Sequence, residues 1–191
     1  PADIDAMGSD AVAFIRAIMI GRQGLHREVV LDLFRDAGAR DPVSHLATGN
    51  VSFGARPRDL DGIVGHVQAG IEAIAGRPKL LYVRPLAHLV AMVDADPFAA
   101  APVHDAPQRE VVFMQGRVPP LDLPVMTAKA DLCIFAAGDR ELFAVSRVEP
   151  PGGVIERLTG EPVTVRAWST VTRIVRTLTA SVQVVSGDSA D

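Results

Sequence analysis

The sequence predicts an α+β protein built from two tandem ferredoxin-like (β-α-β-β-α-β) modules, the second degraded, plus a C-terminal helix. Three observations predict it. Apolar runs bounded by glycine and proline alternate with segments whose apolar residues recur at helical spacing. Through Arg84 these fall in the order β-α-β-β-α-β. After an alanine- and proline-rich connector near residue 100, the succession returns with its first helix weakened. Residues 1–100 are therefore expected to form an N-terminal module and residues 101–191 a C-terminal module with the terminal helix.

Residues 12–20 are apolar apart from Arg16, as a strand buried on both faces would be. Over residues 26–37, Val29, Val30, Leu33, Phe34 and Ala37 keep helical spacing, and Gly38 stands where a left-handed C-terminal cap falls. Strands at 43–47 and 51–53 flank Thr48-Gly49-Asn50, which reads as a hairpin turn. Leu60, Ile63, Val64, Val67, Ile71 and Ile74 mark a helix over 59–75, ended by Gly76-Arg77-Pro78, and residues 79–83 form the next strand. Leu86, Leu89, Val90 and Val93 make a short third helix before Asp96-Pro97-Phe98 opens the connector.

In the second half, strands are expected at 110–115, 131–136 and 141–146, with a hairpin turn over 137–140. The prolines of RVPPLDLPVMTAKA leave room for at most a short helix between the first two, because proline removes a donor and clashes inside a helix. A helical piece near 154–158, a strand at 163–166 and a last helix bearing Val171, Ile174, Val175 and Leu178 complete the chain, with a mobile tail expected after Ser181.

Composition narrows the function classes. A chain of 191 residues can bury one sizeable core or two small ones, and 48% hydrophobic with 22% charged residues is ordinary for a soluble globular protein. The formal charge of −4 gives no drive toward nucleic acid or anionic lipid, although a local basic loop is allowed. No run approaches the ~18–20 apolar residues that span a bilayer. The opening PADIDAMGSD lacks the basic and apolar regions of a secretory signal and reads as a frayed start. One cysteine, Cys133, in the apolar run LCIFAA, makes neither an internal disulfide nor a multi-cysteine metal site, and a cytoplasmic location is expected.

Two motifs near the start, FIRAIMIGRQG and HLATGNVSF, precede VDADPF in the middle and VRAWSTVTRIV near the end. In this order and spacing, over about residues 11–180, they resemble an uncharacterised bacterial family catalogued as domain of unknown function sixteen ninety-seven. Members of that family read LLRGINVGG, then QSGNVVF, an NPF element and RNWNTV. The resemblance implies an α+β fold with two ferredoxin-like halves and no established activity. Departures are specific: Ala17, Met19 and Arg22 stand where the family has glycine, asparagine and glycine, and Ala167 and Ser169 stand where asparagines are usual. Gly49, Asn50, Arg166, Trp168 and Thr170 match, with Thr48 in place of serine.

Three places carry candidate ligand residues. The loop Gly21-Arg22-Gln23-Gly24, between a strand and a helix, reads either as an ordinary turn or as an anion site of backbone N–H groups aided by Arg22 and Gln23. It lacks the lysine and hydroxyl of a P-loop and the spacing of a dinucleotide fingerprint, so no cofactor is expected. Arg16 reads either as half of a structural ion pair or as the cation of a pocket shared with Thr48 and Asn50; Asn50 also suits a turn position. Arg166, Trp168 and Thr170 read as a strand end, a core anchor or stacking ring, and a helix cap offered by Ser169 or Thr170.

His26, His45, His66, His88 and His104 are scattered without metal-ligand spacing and read mostly as surface residues, so no metal is expected; only His26, beside the glycine loop, reads as an acid-base candidate. Three functional classes remain open: a binding module for a small anionic or nucleotide-like ligand, which the arginines favour; a small enzyme acting on such a ligand; and an interaction protein that forms a homodimer.

Overall fold

In the computed structural model, the described residues are 9–22, 24–102, 108–127, 129, 131–147 and 152–187. Residues 1–8, Gln23 and His104 lie outside them. The protein is α+β, with two antiparallel sheets and five α-helices among the described residues. The chain divides into two units, Pro1–His88 and Leu89–Asp191.

The first unit runs β1 (Ser9–Ile15), α1 (Arg27–Asp36), β2 (Arg40–His45), β3 (Asn50–Ala55), a 3-10 turn (Pro57–Asp59), α2 (Leu60–Ala75) and β4 (Leu81–Pro85). Its sheet has the order β2-β3-β1-β4, with β1 antiparallel to both neighbours. Ala11, Ala13 and Ile15 alternate along β1 and share one core with Val30, Leu31 and Phe34 of α1 and Ile63, Val67 and Ile71 of α2. Phe34 and Phe53 meet there at 5.1 Å between ring centroids. Both helices end as their glycines predict: Gly38 and Gly76 take φ of 87° and 70°, and the Ala39 N–H closes back on Phe34 O at 2.9 Å. The helices approach closely because Gly70 has no Cβ; one placed there would overlap the Leu33 side chain.

β1 is shorter than the apolar run suggests. It stops at Ile15, and Ala17 turns the chain with φ of 50°. Ile18 and Ile20 then fold back and pack on the core from a turn. An apolar run records burial, and a turn lying on a core is as apolar as a strand inside one. The hairpin also differs from expectation. Asn50 is the first residue of β3, and the left-handed positions belong to Leu46 (φ 60°) and Gly49 (φ 69°).

α3 (Leu86–Asp94) follows β4, and a 3-10 turn (Pro97–Ala100) carries Phe98. The second unit continues with β5 (Gln108–Met114), β6 (Val125–Met126), β7 (Leu132–Ala137), β8 (Glu141–Ser146), α4 (Gly152–Thr159), β9 (Val163–Ala167) and α5 (Trp168–Gly187). Its sheet order is β6-β7-β8-β5-β9, so β7-β8-β5-β9 repeats the arrangement of the first sheet and β6 adds a two-residue edge beside β7. No helix is seen between β5 and β7 among the described residues, in keeping with the prolines there. Val112, Met114, Leu132, Ile134, Leu142, Ala144, Ile155 and Val163 form the core. α5 runs to Gly187, past Ser181, where a mobile tail was expected to begin.

Gly49 is the tightest turn position in the first unit: a Cβ there would stand 2.5 Å from Ile18 Cγ1 and 3.2 Å from Ile15 O, on a left-handed backbone. Gly49→Ala is therefore expected to destabilise the protein by about 1–3 kcal/mol, read from the urea unfolding midpoint. Gly62→Ala, on α2 with nothing within 4 Å of the new methyl, is expected to be neutral or slightly stabilising.

Candidate functional site

At the end of β1 the two N-terminal motifs interlock. The Ile15 N–H donates to Gly49 O at 2.7 Å and the Ile20 N–H to Ala47 O at 2.8 Å, while Phe14 pairs with Asn50 across the sheet. Asn50 is 0% exposed, and its Nδ2 donates to His45 O at 3.1 Å and Thr48 Oγ1 at 3.0 Å. Two such bonds, at about 1 kcal/mol each, brace the hairpin with the amide turned inward. Beside them His45 Nε2 and Ser52 Oγ lie 2.8 Å apart. His45 is half-buried, where a surface position was expected. Burial first, and the Arg27 charge second, lower its pKa.

Backbone hydrogen bonds close the turn that carries the glycine loop. The N–H groups of Gly21, Arg22, Leu25 and His26 donate to Leu25 O, Met19 O, Arg22 O and Gly24 O at 2.8, 3.2, 3.0 and 3.0 Å. These four groups are thus committed within the turn. Arg22 is exposed.

Arg16 is half-buried just past β1, with its N–H donating to Leu80 O at 2.9 Å. It lines a cavity of about 200 Å³ whose other charged wall is Arg77 and Lys79, from the connector between α2 and β4. Thr48 and Asn50 do not line it. Lys79 was read from the sequence only as the start of a strand.

In the second unit, β9 passes into α5 without a loop: Ala167 ends the strand and Trp168 opens the helix. Ser169 and Thr170 therefore sit inside the first turn and do not cap it. Arg166 is 9% exposed, and its Nη1 donates to Thr164 Oγ1 and Val165 O, both at 2.8 Å. Burial pushes its pKa down to about 10, which still leaves it charged at neutral pH. The Trp168 ring leans on Phe98 at 5.1 Å and 43°, and Phe98 meets Phe135 and Phe143 edge-on at 5.5 and 6.0 Å. The middle and terminal motifs thus meet through one ring contact.

A cavity of about 530 Å³ opens at this junction. One wall is Gln108, Arg109 and Glu110 at the start of β5, held there because Glu110 pairs with Ala167. The other wall is Trp168, Thr172 and Arg176, at four-residue steps along one face of α5, with Ser169 beside them. Glu110 is 4% exposed and accepts a hydrogen bond from Ser146 Oγ at 3.0 Å. Arg109 and Arg176 are exposed. Of the ligand residues expected from the sequence, Trp168 lines this cavity, together with Ser169, which was read as a cap; Arg166 lies in the strand beside it. Glu110 had a visible signal as the acidic residue heading the run VVFM, and Arg176 as the cation two turns beyond Trp168 on the helix.

Among the described residues, no three His, Cys, Asp or Glu side chains gather closely enough to hold a metal ion, and no helix is long and apolar enough to cross a membrane. Cys133 is buried in β7, which raises its pKa.

Fold and site together define an α+β protein of two antiparallel-sheet units with a polar, aromatic-floored cavity at a strand-to-helix junction. Residues 9–143 match the model of a family described as protein of unknown function (DUF1697), and the chain belongs to that family. The match ends before the Arg166-Ala167-Trp168 motif. Among solved structures, the conserved bacterial protein SP0830 from Streptococcus pneumoniae is similar with a TM-score of 0.64 and 15% identity, over 90% of this chain and 99% of that one. At that identity the likeness is one of fold. No curated protein matches.

The lowered pKa of His45 carries a pH dependence. The unfolded imidazole takes a proton at about pH 6.5, the folded one only at lower pH, so the unfolded chain binds more protons in that window. Stability is expected to fall as pH drops below about 6.5 toward the folded pKa, and His45→Gln to flatten that part of the profile, measured by urea unfolding at a series of pH values.

Proposed function

We propose that the protein is a binding module for a small anionic, nucleotide-like ligand, held at the β9–α5 junction. One observation carries the reading: an indole ring, two arginines and a buried carboxylate line the same 530 Å³ cavity. That volume falls in the range of small-molecule sites, roughly 300–1,000 Å³. Trp168 offers a stacking face, worth about 1–3 kcal/mol per base in comparable sites. Arg109 and Arg176 supply charge for phosphate. Glu110 favours a ligand that presents hydroxyl or amino donors beside its phosphate, as the sugar and base of a nucleotide do. The Gly21 and Arg22 N–H groups are committed within their turn, and we take the Arg-x-Trp end as the recognition site.

We read both units, Pro1–His88 and Leu89–Asp191, as ferredoxin-like modules. Support comes from the strand order β2-β3-β1-β4 and its counterpart β7-β8-β5-β9, with every pairing antiparallel. The second module has shed its first helix and gained β6.

Trp168 is the single tryptophan of the chain, so the site reports on itself. Titration with nucleotides and phosphorylated metabolites is expected to quench its fluorescence saturably and raise the melting midpoint, since a ligand bound only to the native state stabilises it. Arg176→Ala should weaken binding about tenfold, and Trp168→Leu should remove the thermal shift. Arg166→Ala should mainly lower stability. An unchanged spectrum and midpoint across the panel would sink the reading.

A further inference from the structure

The smaller cavity belongs to the first unit and stands on different residues. Arg16 comes from the turn after β1, and Arg77 and Lys79 from the connector between α2 and β4. Ala17, Pro78 and Leu80 fill the rest of its described lining, so every ionisable group there is cationic. The two segments are tied to each other twice: the Arg16 N–H donates to Leu80 O at 2.9 Å, and Lys79 Nζ donates to Ala17 O at 2.5 Å. Ala17 holds a left-handed φ of 50° to make that approach, a conformation that costs a non-glycine residue energy. Lys79 is 5% exposed, so its ammonium is withdrawn from water beside two guanidinium side chains.

We infer that this cavity is a phosphate-group site, with Lys79 at its base and Arg16 and Arg77 closing on the oxygens. Size and charge select the ligand. About 200 Å³ is room for a single tetrahedral oxyanion and falls below the roughly 300–1,000 Å³ of pockets that enclose a whole small molecule. An ammonium and two guanidinium groups on one cavity suit a phosphoryl group, which carries about −1.5 to −2 near neutral pH. Arginine presents paired N–H bonds to phosphate oxygens and an ammonium has three N–H bonds, of which Ala17 O receives one. Burial first, then Arg77 and Arg16, lower the Lys79 pKa. A bound anion relieves that repulsion, so occupancy and folding stability are linked.

The site is independent of the junction cavity, and its test is built to keep the two apart. The full-length protein is titrated with inorganic phosphate and, separately, with glycerol phosphate, against sodium chloride at matched ionic strength. Melting midpoint and calorimetric heat are recorded. Phosphate is expected to raise the midpoint saturably where chloride does not. Arg77→Gln, an exposed position that leaves the core untouched, is expected to raise the Kd about tenfold, and Lys79→Gln to remove binding. Saturable binding of inorganic phosphate alone identifies a free-ion site, while tighter binding of glycerol phosphate identifies a site for the phosphate of a monoester. A midpoint rise equal in chloride, or a Kd unchanged in Arg77→Gln, overturns the proposal. So does phosphate binding lost with Arg176→Ala but kept with Arg77→Gln, which would assign it to the junction. Phosphate binding in a protein that shows no nucleotide response leaves this site standing and removes the other.

Discussion

Pairing of each unit's first strand along both of its edges is the constraint from which the rest follows. β1 lies between β3 and β4, and β5 between β8 and β9. The pairs Phe14 with Asn50 and Ile15 with Leu81 bring three separate stretches of chain to one end of the first sheet. There the turn carrying Arg16 meets the connector carrying Lys79. In the second sheet, the pair Glu110 with Ala167 sets the start of β5 against the start of α5 and so opens the junction cavity. A one-residue slip of β1 would exchange Ala11, Ala13 and Ile15 for Val12 and Phe14 on the helix side, which gives the register its specificity.

The same logic places a buried arginine twice. Arg84 in β4 pairs with Val12 of β1, and Arg166 in β9 pairs with Val111 of β5. In each case Nη1 donates to the carbonyl of the preceding residue, at 3.0 Å from Arg84 and 2.8 Å from Arg166. Each arginine sits one residue before the end of a strand that runs straight into a helix. A guanidinium withdrawn from water is tolerable only where acceptors are fixed in advance, and the carbonyls at the end of a last strand supply them. Arg84 was read in the sequence only as the end of a module, whereas its counterpart Arg166 stood out because Trp168 follows.

Features governed by local chemistry were legible in the sequence. The helix over residues 60–75 and its left-handed Gly76, the α1 cap at Gly38 and the strand over 141–146 all follow from periodicity and glycine. Features governed by tertiary contact were not. Ile18 and Ile20 extended the apparent first strand because they pack on the core from a turn. Asn50 resembled a turn residue because asparagine tolerates turns, while its amide in fact satisfies a loop that closes around it. Arg16 was recognised, but its companions lie beyond a hairpin and a helix, where Gly76-Arg77-Pro78 reads as a helix stop and Lys79 as the start of a strand. Of the junction cavity the sequence showed Trp168 and its motif; the opposite wall comes from a strand whose proximity depends on sheet order.

Cys133 gives the molecule an internal clock. As the single thiol of the chain, it is enclosed by β6 and β8 in the second unit and held in its protonated, unreactive form by burial. A thiol reagent reaches it only when its surroundings open, so the labelling rate counts those openings. The chain therefore carries, without any added reporter, a means of following the local opening around β7 apart from the global melting that a scan records.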